Sequence, residues 1–149
     1  MSPRIAVADS LDAPHALRRA VFIDEQAIPE AEEWDDLDQG ALHLVAWDGD
    51  RAVGTARLVV EGDTGRIGRV CVLPSHRGTG LGAALIRDGM ARLAAQGLGR
   101  ASLSAQVRAQ GFYEGLGFAA QGDTYDDAGI PHVTMSRALP AAGGDAPPA

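Results

Sequence analysis

Six consecutive residues, Arg77-Gly78-Thr79-Gly80-Leu81-Gly82, follow the run Val70-Cys71-Val72-Leu73-Pro74 and precede a stretch with helical periodicity. Glycine permits a tight turn and lets the main chain approach a ligand closely. The first amides of the following helix lack an intrahelical partner, and the helix dipole favours negative charge there. Such a turn suits a phosphate or pyrophosphate, and Arg77 adds a cation beside it. A nucleoside-triphosphate loop is excluded, because it needs a lysine and this chain has none. Gly78, Gly80 and Ala83 meet the dinucleotide spacing. However, no acid stands near residues 98–104 to hold a ribose, and the strand before the loop reads as the third of an antiparallel meander. Nicotinamide binding is set aside on both grounds.

Other side chains could move protons. Tyr113 carries a phenol with an ordinary pKa of about 10, suited to donating a proton at neutral pH. Its alternative role is packing beside Phe112 and Phe118. His132 follows Gly129-Ile130-Pro131 at the start of the last strand, and His43 lies on the first hairpin strand. Each is a candidate base or a structural histidine. Residues 24–38 hold eight carboxylates and read as an acidic loop. Glu25, Glu33, Asp35 and Asp38 could bind a cationic acceptor or be a solvated face, and Arg57 is a candidate buried partner for one of them. Cys71, flanked by valines, reads as a core residue rather than an acyl-carrying nucleophile. Trp34 and Trp47 suit either an acceptor pocket or the core. The four histidines are dispersed, so no metal site is expected. Without lysine, a Schiff base is excluded.

The elements that must position these groups follow from periodicity and punctuation. Ile5–Val7 reads as a strand. Asp12 reads as the cap of a helix bearing Leu17, Val21 and Phe22 and ending before Pro29. Residues 41–47 and 52–61 form a hairpin around a DGDR turn, and residues 66–73 form a third strand. A helix runs from Leu81 to Gln96, with Leu81, Leu85, Gly89 and Leu93 on one face and Gly97 as its stop. Residues 101–106 form a strand and 109–116 a short helix stopped by Gly117. Phe118–Gln121 and His132–Ala138 form a last strand pair around a polar loop. The order β-α-βββ-α-β-α-ββ makes an α+β domain over residues 1–139. The tail, residues 140–149, reads as disordered.

The chain has 149 residues, 46% hydrophobic and 22% charged, which excludes wholesale disorder. No apolar run reaches the roughly 18 residues of a membrane helix, and no apolar signal core opens the sequence, so a cytoplasmic protein is expected. The net charge of −7 argues against nucleic acid as a partner. The charge is uneven. Residues 66–108 hold seven arginines and one acid, whereas residues 1–65 hold five arginines and fourteen acids. A basic middle between acidic flanks suits a centrally held anion with a cationic ligand beside it.

Arg77-x-x-Gly80-x-Gly82 after Val70–Pro74 resembles the acetyl-CoA loop of the GNAT N-acetyltransferase superfamily. Gln106-x-x-Ala109-x-x-x-Tyr113-Glu114-x-x-Gly117-Phe118 resembles its second signature, with Gln106 where Asn is usual. Gly129-Ile130-Pro131-His132 and Met135 resemble the ElaA/YjcF-like branch. So does the N-terminal pattern Arg18, Val21-Phe22, Glu25-Gln26, Glu33, Asp35, Asp38, His43 and Gly54-Thr55-Ala56-Arg57-Leu58. The resemblance spans about residues 15–136. It implies a GNAT-like mixed, mostly antiparallel sheet with helices on both faces.

It also implies acetyl-CoA as co-substrate and an amine as acceptor; the acidic loop points to a primary amine on a small cationic molecule. The donor would be held by Gly78, Thr79, Gly80, Leu81 and Gly82, by Arg77, and by the backbone of Val70, Cys71 and Val72. Gln106 and Tyr113 would contribute, and Arg69 or Arg108 would reach a ribose phosphate. Tyr113 would be the catalytic acid, where the family places it. From the residues themselves, His132 is the first candidate base and His43 the second, and Glu25, Glu33, Asp38, His43 and Arg57 are the candidates around the acceptor. A homodimer is the family-level expectation. Two alternatives stay open: a non-catalytic acyl-CoA-binding regulatory module, and a longer-chain acyltransferase resembling acyl-homoserine-lactone synthases.

Overall fold

The strand β2 (Leu42–Asp48) carries His43, Leu44, Val45 and Ala46 as an unbroken buried run. A strand loses its polar alternation when both faces are covered, and here both are. Val45 packs with Leu17, Val21 and Cys71. A Cβ on Gly89 of the long helix would stand 3.0 Å from Leu58 and 3.9 Å from Leu44. Leu44 and Val45 are adjacent and so project to opposite faces. Helices therefore flank the sheet on both sides at this point.

The computed structural model describes residues 3–140, and these form two compact units. One contains residues 3–59 and 67–89, the other residues 60–66 and 90–140. In the first unit the strand order is β1 (Arg4–Val7), β2, β3 (Arg51–Glu61) and β4 (Thr64–Val72). β1 and β2 are antiparallel, as are β2 and β3, with Leu44 opposite Ala56. The helix α1 (Asp12–Arg18) buries Pro14, Leu17 and Arg18 and continues as a π-helix over Arg19–Glu25. The amide of Gln26 reaches the carbonyl of Val21, five residues back, at 3.0 Å. Asp12 is not the cap: Leu11 is, without a side-chain bond, and Asp12 stands inside the first turn. The Asp12 amide instead donates to Ser10 Oγ at 3.3 Å. The expected acidic loop contains α2 (Glu30–Glu33) and a 3-10 turn at Asp38–Gly40, and it buries Glu33 and Asp38.

The second unit has the order β4, β5 (Arg100–Gln106), β7 (Ile130–Ala138), β6 (Ala119–Asp127). The β4–β5 ladder is parallel, Thr64–Arg66 against Arg100–Ser102, while β5–β7 and β6–β7 are antiparallel. The whole is mixed α+β with a largely antiparallel sheet, as expected. Ala101, Leu103 and Ala105 point into a core with Val133, Met135 and Phe118. The polar loop expected around residues 122–131 is instead mostly strand. β6 extends to Asp127, with a register irregularity between Gln121 and Tyr125. It is exposed throughout, so no apolar alternation marks it, and its ladder to β7 defines it. The tail from residue 140 lies outside the described residues, apart from Pro140.

The long helix is α3 (Leu81–Ala95). It ends in a Schellman cap: Gly97 takes φ +84°, its amide bonds Ala94 O at 2.9 Å, and the Leu98 amide bonds Leu93 O at 3.3 Å. Leu93 is fully buried, and a Cβ on Gly65 would lie 2.4 Å from one of its methyls and 2.8 Å from its Cγ. Gly65→Ala is therefore expected to lower stability by about 1–3 kcal/mol through overpacking. Urea unfolding checks this, and an unchanged midpoint would mean that Leu93 repacks freely.

Candidate functional site

In the first unit, β4 delivers the glycine loop. The Leu73 amide bonds Val53 O at 2.9 Å, which ties the strand end to β3. Pro74–His76 make a 3-10 turn, and Thr79 Oγ1 donates to His76 O at 2.6 Å. Gly78 and Gly80 take φ +75° and +85°, and a Cβ on Gly78, Gly80 or Gly82 would meet nothing within 4 Å. The first helical bond of α3 runs from Ala84 N to Gly80 O at 3.0 Å. The amides before Ala84 open the helix and have no residue one turn back to bond. Residues 77–80 are exposed. An open turn with helix-start donors fits a pyrophosphate group.

Arg77 is not a free cation beside this turn. Its Nη atoms donate to the two Glu25 carboxylate oxygens at 2.6 Å each, and its Nε donates to Val72 O at 3.0 Å. The Glu25 hydrogen bond raises the Arg77 pKa, and the Arg77 hydrogen bond lowers that of Glu25. Arg77 thus fastens the loop to the end of the π-helix. Beside it, His76 Nε2 lies 2.7 Å from Asp48 Oδ2. Cys71 is 5% exposed, and burial pushes its thiol up to about 12. Its side chain lacks the thiolate character of a nucleophile.

The structure brings together Glu33, Asp38, His43 and Arg57 with Arg18, Asp35, Arg69 and His15. Arg18 Nε donates to Glu33 Oε2 at 2.9 Å and its Nη1 to Asp38 Oδ1 at 2.8 Å. Arg57 Nη1 donates to Asp35 at 2.7 Å and to Asp38 at 3.0 Å. Arg69 lies 3.1 Å from Glu33 Oε2 and 3.3 Å from Asp35 Oδ2. His15 Nε2 lies 2.9 Å from Asp38 Oδ2, and His43 Nε2 donates to Asp38 O at 2.8 Å. Trp34 covers the cluster, its ring 5.1 Å from the Arg18 guanidinium. Arg18 is 1% exposed and Glu33 3%, so these acids face arginines rather than solvent. Arg69, a candidate for a ribose phosphate, is engaged here. The signal available in the sequence was a charged residue, Arg18, on the apolar stripe of Leu17 and Val21.

In the second unit, α4 (Gln110–Glu114) ends in another Schellman cap. Gly117 takes φ +91°, its amide bonds Glu114 O at 3.0 Å, and the Phe118 amide bonds Tyr113 O at 3.1 Å. This cap sets the Tyr113 ring edge-on to Phe118, 6.3 Å between centroids. The spacing Tyr113-x-x-x-Gly117-Phe118 is thus a geometric requirement of the cap. Tyr113 is half-buried, and burial raises its phenol pKa, keeping it protonated at neutral pH. Gln106 stands opposite His132 across the β5–β7 ladder, and its Oε1 accepts from Arg108 Nε at 2.8 Å. His132 Nδ1 lies 2.7 Å from Ile130 O, so Nδ1 carries a proton and donates it to this bond, which leaves Nε2 as the other ring nitrogen. The Tyr125 ring stacks on His132 at 6.1 Å, and its hydroxyl bonds Ser104 Oγ. Sequence reasoning missed this Tyr125–Ser104 pair. Among the described residues no cluster of His, Cys, Asp and Glu is placed to hold a metal, and no helix is long and apolar enough to cross a membrane.

The acid cluster has a pH signature. Burial raises the Asp38 carboxyl, but hydrogen bonds from Arg18, Arg57 and His15 outweigh it and hold Asp38 well below the usual carboxylate range. A depressed folded-state pKa contributes stability that is complete above the unfolded value of about 4 and is lost as pH falls toward the folded one. Asp38→Asn is expected to cost about 3–5 kcal/mol at neutral pH, because it leaves buried guanidinium charge uncompensated. It should also flatten the loss of stability below about pH 4. Urea unfolding of both proteins at neutral and acid pH checks this, and parallel acid limbs would sink the assignment.

Comparison with known proteins agrees with this geometry. The model of the acetyltransferase (GNAT) domain family matches residues 10–139. The chain is 35% identical over 122 residues to the uncharacterised N-acetyltransferase YjcF of Bacillus subtilis, covering 81% of this chain and 87% of YjcF. An acyl-CoA N-acyltransferase from Pseudomonas aeruginosa superposes with a TM-score of 0.84 at 32% identity, over 91% of this chain and 99% of that one. ElaA from Escherichia coli does so with 0.81 at 28%, over the same shares. With the glycine loop, the second signature and the largely antiparallel sheet all in place, the chain belongs to the GNAT acetyltransferase family.

Proposed function

We propose that this protein is an acetyl-CoA-dependent N-acetyltransferase of the ElaA/YjcF-like branch, acting on a primary amine of a small cationic molecule. The observation that carries the reading is the open glycine turn at Gly78–Gly82, with positive φ at Gly78 and Gly80 where it runs into α3. In this reading the amides of Gly78–Gly82 hold the pyrophosphate, and the main chain of Val70, Cys71 and Val72 pairs with the pantetheine arm as an added strand would. Acetyl-CoA supplies the activated acyl thioester.

The remaining chemistry falls to the chain. An ammonium must shed a proton before its nitrogen can attack, and His132 Nε2, the ring nitrogen not bonded to Ile130 O, serves as acceptor. The departing thiolate needs a proton, and Tyr113, kept neutral by burial, donates it. The buried Glu33, Asp38, His43 and Arg57 act as the frame of the acceptor side rather than as its contact surface. Glu25 contributes by holding Arg77.

Two substitutions test this. Tyr113→Phe is expected to lower kcat by about 10²–10⁴-fold while leaving the dissociation constant for acetyl-CoA unchanged. An unchanged kcat would remove Tyr113 as the acid. Gly80→Glu places a side chain at a left-handed residue and a negative charge at the anion site, so calorimetry should detect no acetyl-CoA binding. Native affinity in that variant would overturn the loop assignment.

A further inference from the structure

Within β4 the side chains change sides. Ile67 packs toward α3, where a Cβ on Gly89 would lie 3.7 Å from its methyl. Cys71, four residues on, packs on the opposite face with Leu17, Val21 and Val45. In a regular strand residues four apart share a face, so one residue has been inserted between them. The insertion is at Arg69, whose φ is +50°. That left-handed conformation is disfavoured for a residue with a side chain, although a glycine, Gly68, stands next to it. The Arg69 guanidinium is held by one short segment through two hydrogen bonds from Nη2 and a charge contact at Nε, which itself makes no hydrogen bond. Its Nη2 donates to Glu33 O at 3.1 Å and lies 3.3 Å from Asp35 Oδ2, and its Nε lies 3.1 Å from Glu33 Oε2.

We infer that Arg69 is a positioning residue: its clamp to Glu33 and Asp35 holds a β-bulge in β4 and thereby sets the direction of the Val70–Val72 main chain. A bulge reverses the alternation of the strand beyond it and bends it, so the amides and carbonyls of Val70–Val72 point where the bulge sends them. Glu33 and Asp35 are themselves fixed by Arg18 and Arg57. The acidic segment therefore shapes the strand that, on the function proposed above, lies along the pantetheine arm. The link to ligand binding rests on that proposal, but the clamp does not.

Arg69→Gly removes the clamp and tolerates the left-handed backbone; Arg69→Ala removes the clamp and keeps the strain. Hydrogen exchange of the ligand-free proteins reads the clamp alone. Val70–Val72 amides should exchange about tenfold faster in Arg69→Ala, with Arg69→Gly between it and the wild type. Unchanged exchange in both variants would overturn the inference. Calorimetry with acetyl-CoA and with its 3′-phospho-ADP fragment reads the consequence. Arg69→Ala should weaken acetyl-CoA about tenfold and leave the fragment unaffected, because the fragment ends at the glycine loop. Equal losses for both ligands would mean general destabilisation and would also overturn it. If the wild type bound neither ligand while the exchange effect held, the proposed function would fall and the clamp would stand.

Discussion

Three guanidinium groups, from Arg18, Arg57 and Arg69, and three carboxylates, from Glu33, Asp35 and Asp38, meet in one largely buried cluster. Taking such charges out of water costs several kcal/mol per ion, and only close geometry with nearly every oxygen bonded offsets it. Balance is therefore a condition of the fold. Asp38 receives Arg18, Arg57 and His15 at once, while its carbonyl receives His43. This cluster joins α1, the acidic segment, β2, β3 and β4, so the residues around Val70–Val72 inherit their placement from it. Trp34 adds its face to the Arg18 guanidinium, which favours a cation whose solvent has been removed.

The glycine loop is held by a second, more exposed contact. Arg77 closes a bidentate pair with Glu25 and also reaches back to Val72 O. An exposed ion pair contributes little to global stability. Its value is local, since it fixes where the loop leaves β4 and where α3 starts. The helix-start amides then face outward by construction, and Gly78 and Gly80 supply the left-handed backbone that the turn requires. Orienting an anion with main-chain donors leaves the neighbouring side chains free to serve packing. That explains why Leu81 can be a core residue while its own amide opens the helix.

In the second unit a backbone rule carries a side chain of chemical interest. The cap at Gly117 bonds Phe118 to the Tyr113 carbonyl and seats the two rings together. Tyr113 is thus oriented by a motif of main-chain bonds, and burial keeps its proton on. His132 is oriented in the same economical way, by a hydrogen bond to a carbonyl two residues away on its own strand.

Local sequence was enough for the order of the strands and main helices, the apolar faces of α1 and α3, the helix stops at Gly97 and Gly117 and the glycine turn before α3, because each follows from periodicity or glycine conformation; α2, four residues inside an acidic run, showed no such signal. The family signatures rest on the same local rules: glycines that must turn, and a capping glycine, Gly117, four residues after Tyr113. Tertiary structure decided what local chemistry could not. The length of β6 was invisible because a fully exposed strand has no apolar alternation to display. The fate of the eight carboxylates between residues 24 and 38 was invisible for a different reason. Whether an acid is solvated or buried depends on which arginines the folded chain brings to it, and Arg18, Arg57 and Arg69 come from three separate elements. The reversal of sides in β4 at Arg69 has the same origin, because a left-handed arginine persists only when distant groups hold its side chain.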